Sequence, residues 1–414
     1  MPPAQDGRTA NPSYHRAVKV LVVGSGGREH SLVWALARDG AELHAAPGNP
    51  GIAALASCHP VRAEDAAAVG PLAAELGVDL VVVGPEAPLV AGLADALRHR
   101  GIRVFGPSAD AARIEGSKAF AKDVLEAAGV ATARTLDVPQ PPCVIKADGL
   151  AAGKGVWVCR DQPALDAALL AAQALGQPFH AEELLEGPEL SVFAVAAREH
   201  AIALPASRDF KRIGDGDTGP NTGGMGSYSP VADAPDVDAI LDVVHRPVLR
   251  ELAHRGAPFF GLLYGGLILT ESGPQVIEFN CRFGDPETQS VLPRLETGLL
   301  GVLAAAAAGD LAGVEPPAAD GAAVTVVVAS RDYPERGESG TPIEGIAAAE
   351  QGGALVLHAG TALNDGRVVT NGGRVLDVVG TGSSVAEARN AAYEGVAHID
   401  FAGMQFRTDI AVDG

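Results

Sequence analysis

Six lysines stand in a chain that otherwise takes its positive charge from 25 arginines: Lys19, Lys118, Lys122, Lys146, Lys154 and Lys211. Five of them fall between residues 118 and 211. A solvated surface accepts either residue, but an ammonium is a compact point charge suited to single phosphate oxygens. Lys146 and Lys154 flank the loop Asp148-Gly149-Leu150-Ala151-Ala152-Gly153-Lys154-Gly155. Such a loop can fold over a triphosphate; the plainer reading is a flexible hairpin with solvated lysines. Further on, strand alternation in Glu278-Phe279-Asn280-Cys281-Arg282-Phe283-Gly284-Asp285-Pro286-Glu287 points Glu278 and Asn280 to one face. Two hard oxygen donors, completed by water and phosphates, suit Mg²⁺, and Arg282 beside them suits an anion. The plainer reading is a paired surface carboxylate.

Three further segments carry polar chemistry. Glu182-Glu183-Leu184-Leu185 ends a strand and is followed by Gly187-Pro188-Glu189. A strand-end backbone can bond an adenine edge while a later carboxylate takes ribose hydroxyls, although alone this is a surface acidic cluster. Asp209-Phe210-Lys211-Arg212 leads into a long run from Asp215 to Gly226 that includes Asn221. Loops of that length inside a compact domain are usually functional. Gly24-Ser25-Gly26-Gly27 sits where a strand gives way to a helix, so its backbone N–H groups could approach a phosphate. It is not the dinucleotide fingerprint, because position 29 is Glu.

The elements that must position these residues fall into three groups. Strands over Val18–Val23, Glu42–Ala46, Asp79–Val83 and Arg103–Phe105 alternate with helices, including one over Leu89–Arg100, and imply an open parallel sheet. A helical pattern runs from Ser108 to Ala128. Strands then follow at Cys143–Ala147, Val156–Cys159, Phe179–Glu183, Leu190–Ala197 and Ala201–Pro205, with helices over Ala164–Ala174 and Val237–Arg255. A hairpin joins Leu262–Thr270 to Gln275–Asn280, and a helix is predicted over Thr288–Ala308. The last stretch, with strands near Ala323–Ala329 and Val375–Val379 and a helix near Val385–His398, reads as a small α+β unit. The expected division is a disordered lead-in (1–17), an α/β domain (18–118), a central domain (119–318) and a C-terminal domain (319–414).

At 414 residues the chain can hold about three domains. Its net charge of −20 argues against a nucleic-acid or anionic-membrane partner, yet leaves room for a locally basic cleft. No apolar run approaches the ~20 residues of a membrane span. Cys58, Cys143, Cys159 and Cys281 form no C-x-x-C pair, so neither zinc nor a disulfide framework is suggested, and a cytoplasmic location is expected.

From Lys19 onward the sequence resembles the phosphoribosylamine–glycine ligase (glycinamide ribonucleotide synthetase) family of the ATP-grasp superfamily. VLVVGSGGREH, APGNPG, VVVGPEAPL, EGSKAFAK, VIKADGLAAGKGV, DFKRIGDGDTGPNTGGMGSYSP and VIEFNCRFGDPETQ carry the resemblance. It implies an α/β chain with an N-terminal open parallel-sheet domain, a two-lobed ATP-grasp domain and a small C-terminal α+β domain. It also implies ATP-dependent ligation of glycine to 5-phosphoribosylamine through a glycyl phosphate, with Mg²⁺ or Mn²⁺, by a cytoplasmic monomer. Residue by residue, the resemblance gives ATP to Lys118, Lys146, Lys154, Glu182, Glu183, Leu184, Leu185, Glu189, Arg212 and Asn221, and the metal to Glu278 and Asn280. Gly26, Gly27, Pro47, Gly48, Asn49, Asp209 and Lys211 are expected at the substrates, and Arg282, Asp285 and Lys154 at the reacting groups. Phe210 stands where a His is common in the family. Two alternatives remain: another ATP-grasp ligase or carboxylase of purine synthesis, and a non-catalytic nucleotide sensor. The absence of a carboxylate in Leu262–Thr270 favours the glycine ligase over carboxylases, and a sensor has no need of both Glu278 and Asn280.

Overall fold

The computed structural model describes residues 17–149 and 155–414. The expected lead-in, residue 17 apart, and Lys154 with most of its loop lie outside those residues.

Strand β1 (Lys19–Gly24) is apolar on both faces, which suits a strand covered on both sides. It pairs in parallel with β2 (Glu42–Pro47) and β4 (Leu80–Val83); β3 (Ser57–Cys58) and β5 (Val104–Phe105) complete the order β3-β2-β1-β4-β5. The helix Gly27–Arg38 follows β1 directly.

A four-stranded sheet forms a separate small lobe from β6 (Thr135–Leu136), β7 (Cys143–Ala147), β8 (Val156–Cys159) and β9 (Phe179–Glu183), in the order β6-β9-β7-β8. The helix Gln162–Ala174 packs Leu165, Ala168 and Ala172 onto it around Cys143, Ile145 and Cys159.

The largest sheet contains β10 (Glu189–Ala197), β11 (His200–Asp209), β14 (Gly226–Ser229), β15 (Phe260–Thr270), β16 (Gly273–Asn280), β17 (Ala322–Ala329), β19 (Leu355–His358) and β22 (Arg374–Gly382). Its order is β16-β15-β10-β11-β14-β17-β22-β19. The pairing of β14 with β17 carries the sheet past residue 318, so a boundary there divides the chain but not the sheet. Two small sheets complete the fold. One pairs β12 (Arg212–Gly214) with β13 (Thr218–Asn221); the other orders β18 (Glu338–Pro342), β21 (Arg367–Gly372) and β20 (Thr361–Asn364).

Three predicted helices are broken. Leu89–Arg100 becomes Glu86–Val90 and Leu93–Arg98, interrupted at Gly92, whose φ is +87°. The run from Ser108 becomes Ala109–Gly116 and Lys118–Ala128, because Ser117 is extended and its hydroxyl caps Phe120 N at 3.2 Å. The predicted Thr288–Ala308 splits into Glu287–Val291, a 3₁₀ turn containing Pro293, and Leu299–Ala308 after Gly298. The long run from Asp215 to Gly226, read as a loop, lies among β12, β13 and β14, which its high glycine content hides from a pattern search.

A π turn at Leu241–His245 buries His245 completely, with neither ring nitrogen hydrogen-bonded among the described residues. Burial, reinforced by Arg246, pushes its pKa down to about 3. The folded state therefore binds fewer protons than the unfolded one, and stability is lost as pH falls from ~6.5 toward that value. At pH 5 the loss is about 2 kcal/mol. In denaturant titrations at pH 7.5 and 5, His245→Leu should shrink the difference between the two pH values by about that amount. An unchanged difference would show that His245 does not carry this acid sensitivity.

Candidate functional site

The segment from Cys281 to Gln289 is held from both sides. Arg282 Nε lies 3.2 Å from Glu86 and its Nη2 3.0 Å from Glu115, while Cys281 N donates to Glu115 at 2.8 Å. Burial disfavours the Glu86 carboxylate, but Arg282 and Arg28 outweigh it and hold its pKa at about 2. On the other side Arg374, at the start of β22, meets the Asp285 carboxylate at 3.0 Å and the Asp285 carbonyl at 2.9 Å, and also donates to Gly223 O. Gln289 Nε2 donates to Asp285 Oδ1 at 2.8 Å. Burial opposes ionisation of Asp285, yet Arg374 and Arg28 keep its pKa below the ordinary value.

The glycine loop after β1 faces this segment, since a Cβ on Gly26 would lie 3.8 Å from Asp285 Oδ2. Its Gly26 N–H is taken by Glu29 Oε2 at 2.6 Å, and Arg28 Nε meets the other oxygen at 2.5 Å. A Cβ on Gly24 would meet the Glu29 side chain at 2.6 Å, and one on Gly84 would overlap it. These two glycines make room for a carboxylate, and Glu29 occupies an N–H expected to be open to phosphate. Gly48 adopts φ +73° after Pro47, with the Cys58 thiol packed on its open side. Asn49 is fully used: Nδ2 donates to Ser25 O (2.8 Å) and His358 O (2.7 Å), and Oδ1 accepts from Ile52 N (2.9 Å). It braces the loop against β19.

In the small lobe, Glu182 is 2% exposed and surrounded by donors. Lys146 Nζ lies 2.7 Å from Oε2; Lys122 Nζ and His180 Nε2 each lie 3.0 Å from Oε1. Burial resists its ionisation, but His180, Lys146 and Lys122 bring its pKa down to about 2. Lys146 also donates to Ile277 O at 2.9 Å, reaching from β7 to β16. Glu183 turns away, onto Arg134 N at 2.9 Å, and Leu184 and Leu185 leave the strand half-buried. Lys118 donates to Gly149 O at 3.2 Å, and its backbone N meets Asp148 Oδ1 at 2.6 Å.

On the large sheet, Lys211 sits 2.5 Å from Glu189 and 2.8 Å from Asp209. Burial pushes the Asp209 pKa up to about 7, with Lys211 opposing and Glu287 and Glu189 adding to it. Lys211 is held above its ordinary value despite burial by Asp209 and Glu189. Among the described residues, Glu278 and Asn280 enter no ion pair or side-chain hydrogen bond. The charge of Glu278 nevertheless acts on both Lys118 and Lys211, and its strand neighbour Ile277 accepts from Lys146 of the small lobe. No group of three or more His, Cys, Asp or Glu residues suited to a metal occurs among the described residues, so this pair needs phosphate or water oxygens to complete a coordination shell.

The structure thus draws together Gly26, Gly27, Lys118, Lys146, Glu182, Glu189, Asp209, Lys211, Glu278, Asn280, Arg282 and Asp285. Arg212 behaves differently: paired with Asn221, it donates to Gly219 O of its own hairpin at 2.7 Å. The sequence reading gave no site role to Lys122, His180, Glu86, Glu115, Glu287 and Arg374, although it counted Lys122 among the clustered lysines. Lys122 and His180 carried a signal in retrospect, each lying at helical or strand spacing from a predicted site residue.

A small antiparallel lobe set over a large antiparallel sheet, with lysines and oxygen donors between them, is the arrangement of the ATP-grasp fold. Family models of phosphoribosylglycinamide synthetase match the chain in succession: the N domain over residues 18–115, the ATP-grasp (A) domain over 116–288 and the C domain over 323–413. A phosphoribosylamine–glycine ligase of Streptomyces coelicolor is 54% identical, covering 95% of this chain and 99% of its own. One of Corynebacterium ammoniagenes is 48% identical over 95% and 97%. The crystal structure of a Thermotoga maritima phosphoribosylamine–glycine ligase superposes with a TM-score of 0.83 at 36% identity, over 95% of this chain and 100% of that one. The chain belongs to the phosphoribosylglycinamide synthetase family. No helix among the described residues is long and apolar enough to cross a membrane.

Breaking the Glu182 network should be costly, because removing one partner strands buried charge. Glu182→Gln is expected to lower stability by ~3 kcal/mol. Lys146 would lose its anchor, so the KM for ATP should rise about tenfold or more. A melting curve with ATP-dependent initial rates tests both, and an unchanged KM would remove Glu182 as the residue that aims Lys146.

Proposed function

We propose that this chain joins glycine to 5-phosphoribosylamine at the expense of ATP, giving glycinamide ribonucleotide, ADP and phosphate. A carboxylate does not acylate an amine in water. Transfer of the γ-phosphoryl group to a glycine carboxylate oxygen, with ADP leaving, makes a glycyl phosphate. The amine of phosphoribosylamine then attacks the glycyl carbon, expelling phosphate and losing a proton. The observation that carries this reading is the reach of Lys146 from β7 of the small lobe to the Ile277 carbonyl on β16, which sets its ammonium beside the strand end that presents Glu278 and Asn280.

In this reading the backbone after Glu182, at Glu183, Leu184 and Leu185, receives adenine, and Glu189 takes ribose hydroxyls. Lys118, Lys146 and Lys154 contact the phosphates, with Arg212 and Asn221 closing from their hairpin. Glu182 acts by aiming Lys146. Glu278 and Asn280 are hard oxygen donors with no competing partner among the described residues, and they fit Mg²⁺ or Mn²⁺. Bound there, the metal would neutralise charge on the transferring phosphoryl group. Glu287 is 5% exposed and enters no ion pair among the described residues, and its charge acts on Asp209, Tyr264, Arg282 and Arg374. With Asp209 it suits the ammonium end of glycine, and Lys211 keeps Asp209 in place. Arg282 is already neutralised by Glu86 and Glu115, so it acts by positioning. Asp285 faces the Gly26–Gly27 loop, where carboxylates suit the amine and hydroxyls of phosphoribosylamine. Gly48 and Pro47 shape that pocket and Asn49 braces it. We further assign the protein to the cytoplasm as a monomer.

ADP release should require both glycine and freshly made phosphoribosylamine, and bicarbonate should not replace glycine. Turnover triggered by bicarbonate would favour the carboxylase reading instead. Glu278→Gln is nearly isosteric, so melting should be preserved while metal-dependent ADP release falls by about 100-fold or more. Asn280→Asp should be milder and shift the preference between Mg²⁺ and Mn²⁺. Near-normal turnover in Glu278→Gln would defeat the metal assignment.

A further inference from the structure

Asp377, in the middle of β22, is a buried carboxylate with no role in the scheme above. It is 1% exposed. Its Oδ2 accepts from Gln289 Nε2 at 2.8 Å, the same nitrogen that donates to Asp285 Oδ1 at 2.8 Å. One amide group therefore spends both its protons on two carboxylates. The acceptors left over, Asp377 Oδ1 and Gln289 Oε1, are buried and lack hydrogen-bond partners among the described residues. A Cβ on Gly27 would overlap Asp377 Oδ2 and approach Gln289 Nε2 to 3.0 Å. Gly27 is thus the residue that lets the glycine loop close onto this pair.

We propose that Asp377 is a positioning residue of the ligase reaction: acting through Gln289, it fixes the Asp285 carboxylate against the Gly26–Gly27 loop, and does so only while it holds a proton. The proposal rests on the reading of Asp285 given above.

The surroundings define the switch. Arg374, on β22 itself, and the Gln289 hydrogen bond favour the ionised form of Asp377, but both are shared with Asp285. The 285–289 segment contributes Asp285, which disfavours a second negative charge, and Glu287 on the turn that carries Gln289. The first turn of Gly27–Arg38 contributes Arg28, engaged with Glu29, and His30, whose Nδ1 accepts from His358 N at 2.8 Å. The register partners on the neighbouring strands, Val327 and Leu357, are apolar. Burial, with Asp285 adding to it, pushes the Asp377 pKa up to about 7. Below that pH a neutral Asp377 accepts from Gln289 without competing for Arg374. Above it, two carboxylates share one amide and one guanidinium, and the hold on Asp285 loosens.

The test is the pH dependence of kcat/KM for phosphoribosylamine, at saturating glycine and ATP, for the wild type, Asp377→Asn and Asp285→Asn. Taking the ratio of variant to wild type at each pH cancels the titration and decay of the substrate. Because Asn cannot ionise, the Asp377→Asn ratio should rise about threefold or more from pH 6.5 to 8.5. Asp377→Ala, a second side chain without a proton to lose, should show the same trend if the Asn variant folds poorly. A flat ratio in both, with Asp285→Asn impaired, overturns the proposal and leaves the reading of Asp285 standing. Asp285→Asn with wild-type kcat/KM overturns that reading, and the proposal with it.

Discussion

Two guanidinium groups with side chains 16% and 20% exposed fix where three parts of this chain meet. Arg282 binds the 281–289 segment to Glu86 of the parallel-sheet unit and to Glu115 of the helix that follows it. Arg374 binds the same segment to the last part of the chain through Asp285. Breaking either pair from one side would leave an uncompensated charge inside the protein, at a cost of roughly 3–5 kcal/mol. The glycine loop, the end of β16 and the start of β22 are therefore held in register by contacts between residues 89 to 196 apart. The large sheet, which runs through β14 and β17 from one part to the next, gives those contacts a common rigid base.

The lysines follow a related rule. A protein of net charge −20 that binds a tetra-anion must gather cations without leaving them loose. Lys122 and Lys146 share Glu182, and Lys211 lies between Glu189 and Asp209. Lys146 and Lys211 each engage two partners and keep a third donor for the cleft, whereas Lys122 spends its three on Glu182, Thr132 and Ala133. A guanidinium in the same place would commit its planar fork to several fixed partners, as Arg282 does to Glu86 and Glu115 and Arg374 to Asp285 and Gly223. Lysine thus stands where a ligand is expected and arginine where parts of the chain are joined.

This division explains what the sequence made legible. The residues that converge on the cleft lie in dense motifs, and strand alternation placed Glu278 with Asn280 correctly because the bulge in β16 falls before them, between the Val276 and Glu278 pairings. Element existence was also readable, since the periodicity of β1, β7, β8 and β9 is strong. Glu86, Glu115, Arg374 and Asp377 were not readable. Glu86 and Glu115 do lie within VVVGPEAPL and EGSKAFAK, but nothing local marks any of the four as half of a bonded pair, because each partner lies far away along the chain. The broken helices were marked by Ser117, Pro293 and Gly298, but a periodic apolar pattern on both sides of a break masks it.

The most instructive departure concerns the loop after β1. In an open parallel sheet the crevice between strands that lead off in opposite directions is the usual ligand position. Here that crevice lies between the ends of β1 and β4, where Gly24 and Gly84 face one another across the Glu29 side chain. The carboxylate takes the Gly26 N–H and is itself neutralised by Arg28. A phosphate arriving there would have to displace an internal anion already hydrogen-bonded to the helix start. The same glycines that resemble a phosphate cradle in the sequence are therefore consumed in housing a side chain. The side chain that faces the loop, Asp285, is an acceptor, so the group it suits is a donor such as an amine or hydroxyl.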